Sequence, residues 1–164
     1  MADKEIKKKS KVEKKDENNE GKKMNKVDKK MKKIIIDAEG AVFGRVCSFV
    51  AKKALEGNEM VIVNSEKVVI TGNKKDIVGK YDTLRKKGGH SQKGPKYSNV
   101  AYMMLKKGIR GMLPDHRKGI GKQALNRVRC HNGVPKEFEE EKVLKISAPK
   151  KIKSMTLKEL SGKI

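Results

Sequence analysis

The sequence has no tryptophan and only six aromatic residues, three Tyr and three Phe. A surface that captures single strands by stacking bases on rings needs more platforms than that. No apolar run approaches the ~20 residues that a membrane-spanning helix requires. The early Lys clusters have no apolar stretch after them, so a secretory signal is not expected. Cysteine is scarce. Cys47 and Cys130 stand far apart in the chain, a usage that suits free thiols in a reducing compartment better than a disulfide scaffold. Neither cysteine forms a ligand-spaced pair with the other, or with His90, His116 or His131, so no metal and no cofactor is expected. No Ser/His/Asp arrangement or carboxylate pair stands out. The acidic run from Glu137 to Glu141 reads as a solvated turn, and no catalytic residue is expected.

Acid is also missing from one long stretch. Between Arg85 and Arg129 there are thirteen Lys and Arg residues and a single acid, Asp115, a net +12 in forty-five residues. Folding would crowd these charges further. Such a stretch makes sense beside a dense polyanion, and nucleic acid is the commonest one in a cell. The only aromatics within it are Tyr97 and Tyr102. Contacts are therefore expected to go to phosphate and sugar, with shape read in preference to base identity.

The chain divides in two by composition. Residues 1–33 hold fourteen Lys and seven acids with almost no apolar material, and residues 1–30 are expected to be a disordered extension. Residues 31–164 read as one α/β domain. Ile34-Ile35-Ile36 is a strand. Phe43, Val46, Cys47, Val50 and Ala54 make an apolar stripe at helical spacing, with Gly57 as its stop. Met60-Val61-Ile62-Val63 is a strand of the kind buried on both faces. Strand, helix, strand is a βαβ unit, so the first two strands should be parallel. Lys67 to Thr71 is a third strand and Asn73 to Lys87 a helix. His90 to Lys96 is a basic loop. Ser98 is placed to cap a helix with Ala101, Met104, Leu105 and Gly108 on its inner face, ended by Pro114. A further helix is expected over Lys118 to Val128, a strand over Val143 to Ser147, and a short helix over Thr156 to Leu160. Gly40-x-x-x-Gly44, after a strand and before a helix, is read as a turn (Gly40) and a close helix–sheet approach (Gly44). A phosphate cradle is the weaker alternative, since the third glycine of a dinucleotide fingerprint is absent. Thr71-Gly72-Asn73-Lys74 lacks the upstream glycine of a P-loop.

Five linked motifs carry a resemblance. They are Asp37-Ala38-x-Gly40-x-x-x-Gly44-Arg45, Val63-Asn64-x-Glu66-Lys67-Val68-Val69-Ile70-Thr71-Gly72-Asn73-Lys74, Arg110-Gly111-Met112-Leu113-Pro114, Ala124-Leu125 and Gly133-Val134-Pro135. In their order and spacing, over residues 31 to about 160, the chain resembles the large-subunit ribosomal protein L-thirteen family, in its archaeal-like form. Asp115 and Ile120 depart from that pattern, as does the Lys-rich head. The resemblance implies a three-layer α/β/α fold with a four-stranded, largely parallel sheet. It also implies a non-enzymatic, structural role on large-subunit ribosomal RNA in the cytoplasm, with neighbouring ribosomal proteins as further partners and neither a small-molecule substrate nor a membrane. Family members bind RNA through segments matching Lys74, Arg85, Lys86, Lys87, Arg110 and Lys118 to Lys122. Together with the charge pattern, the expected rRNA-binding residues are these cations plus Lys93, Lys96, Lys106, Lys107, Arg117, Arg127 and Arg129, with Gly111 allowing close backbone approach. Two alternatives use other chemistry: a general nucleic-acid-compacting protein, and a small enzyme holding a phosphorylated ligand in the βαβ crevice.

Overall fold

The computed structural model describes residues 32–87, 94, 96–146 and 153–164. The expected extension at 1–30, Lys93 and most of the His90–Lys96 loop lie outside the described residues. Strand β1 (Lys33–Asp37) leads into helix α1 (Phe43–Leu55) and strand β2 (Glu59–Val63). A 3-10 turn (Ser65–Lys67) joins β2 to strand β3 (Val69–Thr71), which is followed by helix α2 (Lys74–Lys86) and helix α3 (Ala101–Met112). Then come helix α4 (Gly119–Asn126), strand β4 (Val128–Cys130), a second 3-10 turn (Lys136–Phe138), strand β5 (Val143–Lys145), strand β6 (Ser154–Thr156) and helix α5 (Leu157–Lys163).

The main sheet runs β4-β2-β1-β5, and every pairing is parallel. This is the expected four-stranded α/β sheet. One face buries Ile36, Met60, Ile62 and Val128 against Val46, Cys47 and Val50 of α1, Leu105 and Ile109 of α3 and Ala124 of α4. The alternation of a strand sends its other residues to the opposite face. There Ile35, Val61 and Val63 pack under Phe138. That layer is thin, a single 3-10 turn. It is held down by Lys33, whose ammonium lies 4.4 Å from the Phe138 ring centroid and 2.7 Å from Glu141.

Two motifs of the sequence turn out to be one joint. Asn64 adopts a left-handed backbone (φ 54°), and its side-chain amide donates to Asp37 Oδ1 at 2.9 Å. Gly40, at φ 68°, donates its N–H to the Lys67 carbonyl, and Lys67 pairs with Glu39 at 2.8 Å. The turn reading of Gly40 therefore holds. The close-approach reading of Gly44 does not, because a Cβ built there meets nothing within 4 Å. The intimate helix contact lies instead at Gly108 of α3, where an added Cβ would sit 2.5 Å from the Phe43 ring of α1.

Other expectations are corrected by the structure. The helix expected to run to Val128 ends at Asn126, and Val128 opens β4, which pairs with β2. The third strand does not join the main sheet; β3 pairs antiparallel with β6. Ser98 does not cap α3. Val100 is the N-cap residue, and the Ser98 hydroxyl accepts from the Val100 N–H at 3.2 Å, a local turn that competes with capping.

Both thiols stay free, Cys47 buried and Cys130 partly so. Burial pushes each thiol up to about 12, with Cys130 adding to the effect on Cys47. Folding therefore favours the protonated thiols. Their contribution is complete below the unfolded value near 9 and falls as pH rises from 9 toward 12. Native protein at about pH 8.5 is expected to resist iodoacetamide at both positions and to react at both in urea. Rapid native alkylation, read by mass, would contradict this burial.

Candidate nucleic-acid interface

Helix α3 is two-sided by its spacing. Ala101, Met104, Leu105 and Ile109 are buried. Met103, Lys106, Lys107 and Arg110 recur at i, i+3, i+4 and i+7 and so share another face. With Lys96, Ser98 and Leu125 they line a pocket of about 270 Å³. The cations are not equivalent there. Lys107 donates to the Lys96 carbonyl at 2.6 Å, and its ammonium lies 3.1 Å from the Tyr97 ring centroid. Desolvation, then the neighbouring Arg110 charge, lowers its pKa. Tyr97 in turn meets Tyr81 of α2 edge-on, with centroids 6.0 Å apart. Lys107 and Tyr97 thus pin the segment before α3 to the helices. A tyrosine that could have stacked a base is spent as a brace.

The ion pairs show which cations are free. Among the described residues the pairs are Lys33–Glu141, Lys53–Glu56, Lys67–Glu39, Lys74–Glu159 and Lys86–Asp82. Within 85–129, Lys86 alone is paired. Arg85 donates to the Ile164 carbonyl and Arg127 to the Ala54 carbonyl at 3.4 Å. Arg127 thereby serves the C-terminal end of α1, where a cation is favoured. Lys87, Lys96, Lys106, Arg110, Arg117, Lys118 and Lys122 make no side-chain hydrogen bond or ion pair among the described residues. Arg129 is likewise unpaired, but it lies on the sheet face of Val61 and Phe138, where it lines a hollow with Lys33, Glu59 and Glu137. The expected set is therefore divided, with Arg129 set apart from the α3 group.

The turn before α4 explains the unexpected acid. The Asp115 carboxylate accepts from the Arg117 N–H at 3.1 Å, and its carbonyl accepts from the Lys118 N–H at 3.3 Å. Asp115 is thus a turn-former that presents two cations. Gly111 is exposed, and a Cβ there meets nothing within 4 Å, which leaves open space beside Arg110. Sequence reasoning missed Met103, Ser98 and Leu125 as pocket walls. The signal for Met103 was present, namely an apolar residue in register with three cations.

The second sizeable hollow, about 410 Å³, sits at the carboxyl ends of the strands and is lined by Asp37, Asn64, Val134, Phe138, Glu139 and Lys145 among others. Parallel sheets commonly hold ligands at such ends. Here Asp37 is already bonded to Asn64 and to the Glu39 N–H, and both Asp37 and Glu139 oppose a phosphate. Among the described residues no cluster suits a metal, and no helix is long and apolar enough to cross a membrane.

A parallel sheet backing α3, whose outward Lys106 and Arg110 lack acid partners among the described residues, defines a class: a rigid scaffold that presents cations free of such partners. Comparison with known proteins gives the family. The sequence pattern of the family described as Ribosomal protein L13 matches residues 31–137. The chain is 44% identical over 112 residues to large ribosomal subunit protein uL13 of Thermoplasma acidophilum, covering 68% of this chain and 81% of that one. It is 41% identical over 131 residues to uL13 of Methanococcus maripaludis, covering 78% and 94% respectively. With uL13 of Methanocaldococcus jannaschii it shares 44% identity over 132 residues, covering 77% and 93%. The chain belongs to the ribosomal protein L13 family.

Proposed function

We propose that this protein is a structural, non-enzymatic constituent of the large ribosomal subunit in the cytoplasm. It binds folded large-subunit rRNA through the cations of α3, the turn before α4 and the end of α2, and it sits among neighbouring ribosomal proteins. The observation that carries this reading is a group of seven cations, Lys87, Lys96, Lys106, Arg110, Arg117, Lys118 and Lys122, that make no side-chain hydrogen bond or ion pair among the described residues; of such cations within 85–129 it excludes only Arg129, on the other sheet face. The described residues include thirteen acids and leave these cations without a partner among them, as expected where phosphate supplies the countercharge. The small-enzyme alternative is disfavoured by the carboxylates in the crevice at the strand ends.

Salt dependence tests the reading. Seven neutralised phosphates predict that log K for structured rRNA fragments falls with log salt at a slope of about −6. A slope near −1 would contradict it. Equal affinity for duplex DNA and structured RNA would favour a general compacting protein instead.

A further inference from the structure

The pocket on α3 is more than a phosphate clamp. Its lining includes apolar groups: Met103, which is 46% exposed, and Leu125 of α4. The same lining holds the cations Lys96, Lys106 and Arg110. Ser98 adds a hydroxyl. A surface meant for backbone phosphates alone gains nothing from an exposed thioether that shares a pocket with cations. A polarizable methionine does favour the flat face or edge of an aromatic ring. The ligand that needs an apolar bed, a hydroxyl and several cations within one nucleotide-scale hollow is a nucleobase still attached to its phosphate. The wall is also prebuilt, since Lys107 fixes the 96–98 segment through the Lys96 carbonyl and the Tyr97 ring.

We infer that this pocket receives one unstacked nucleotide of the bound RNA, its phosphate toward Lys106 and Arg110 and its base on Met103 and Leu125. The inference rests on the RNA-binding reading and deepens it. Phosphate contacts set affinity for any folded RNA, and the pocket adds a preference for a site where a base is already out of the helix. Unstacking a base costs a few kcal/mol, least where it is unpaired beforehand. A bulge therefore presents its base at little cost, whereas a continuous helix does not.

The test uses the full chain and five RNA hairpins of equal length, one fully paired and four with a single unpaired A, C, G or U. Wild-type protein is expected to bind at least one bulged hairpin about tenfold more tightly than the paired one, by fluorescence anisotropy at low salt. Met103→Ser, at an exposed position, is expected to bring that ratio to about one, with a thermal unfolding midpoint close to wild type showing that the variant is folded. Equal wild-type affinity for all five hairpins would overturn the inference, as would a preference that survives Met103→Ser. Competition by free mononucleotides at micromolar concentration would overturn it in favour of a free-nucleotide site. Binding to no hairpin would instead overturn the RNA reading beneath it.

Discussion

Replacing Lys96, Lys106, Arg110, Lys118 and Lys122 together by alanine is expected to weaken binding to structured large-subunit rRNA by about four orders of magnitude at about 0.1 M salt. The size follows from counterion release. Each phosphate contact contributes about 0.9 to the salt slope, so removing five lowers log K by about 4.5 at that concentration. Thermal unfolding should move only by a few degrees. None of the five side chains has a hydrogen bond or ion pair among the described residues. All but Lys106 are exposed, and removing like charges relieves repulsion in the folded state. Arg85 and Lys86 are poorer targets despite standing among the expected rRNA-binding residues, because Arg85 is tied to Ile164 and Lys86 to Asp82. Filter binding and calorimetry on the same preparation check both halves.

The second large effect concerns a glycine. Gly121 lies in the first turn of α4, against the turn that follows α3. A Cβ at that position would lie 2.0 Å from the Pro114 carbonyl oxygen and 2.7 Å from that of Asp115. Both obstacles are backbone, so no side chain can swing aside. Gly121→Ala is expected to cost about 3 kcal/mol or more, a loss of about 10 °C in Tm. It should also weaken RNA binding, since the displaced turn carries Arg117 and Lys118. Gly111→Ala is the matched contrast. Gly111 lies within the same α3, but its Cβ would meet open space, and alanine is the better helix former by about 0.5–1 kcal/mol. Its Tm should hold or rise. Lower affinity in that variant would show that RNA backbone comes close to Gly111. Equal Tm for wild type and Gly121→Ala would contradict the packing described here.

Much of this architecture is written in local pattern. The stripe from Phe43 to Ala54 and the unbroken apolar run Met60–Val63 left one arrangement, a helix crossing between parallel buried strands. Val128-Arg129-Cys130 was illegible for a physical reason. Three residues are too few to show alternation, and they continue a helical spacing from Ala124 and Leu125. Their strand character comes from pairing with Met60, Val61 and Ile62 of β2, which no local signal reveals. The split between β3 and the main sheet is likewise a tertiary fact, fixed by the antiparallel pairing of Val69–Thr71 with Ser154–Thr156.

The candidate interface is legible in the sequence as charge but not as geometry. Density of Lys and Arg between 85 and 129 marks the stretch proposed to face a polyanion. It did not separate Arg127, which serves the end of α1, or Arg129, which strand alternation sends to the other sheet face, from Lys106 and Arg110 on α3. Asp115, a departure from the family pattern, proves to form the turn that presents Arg117 and Lys118.

Gradient sedimentation of lysate from cells carrying tagged wild-type chain and, separately, the five-cation variant tests the central claim most directly. The wild-type chain should be found in the large-subunit and whole-ribosome fractions, and the folded variant should remain at the top among free proteins. A variant that sediments with large subunits as fully as wild type would contradict the claim that the unpaired cations of this scaffold are met by ribosomal RNA phosphates.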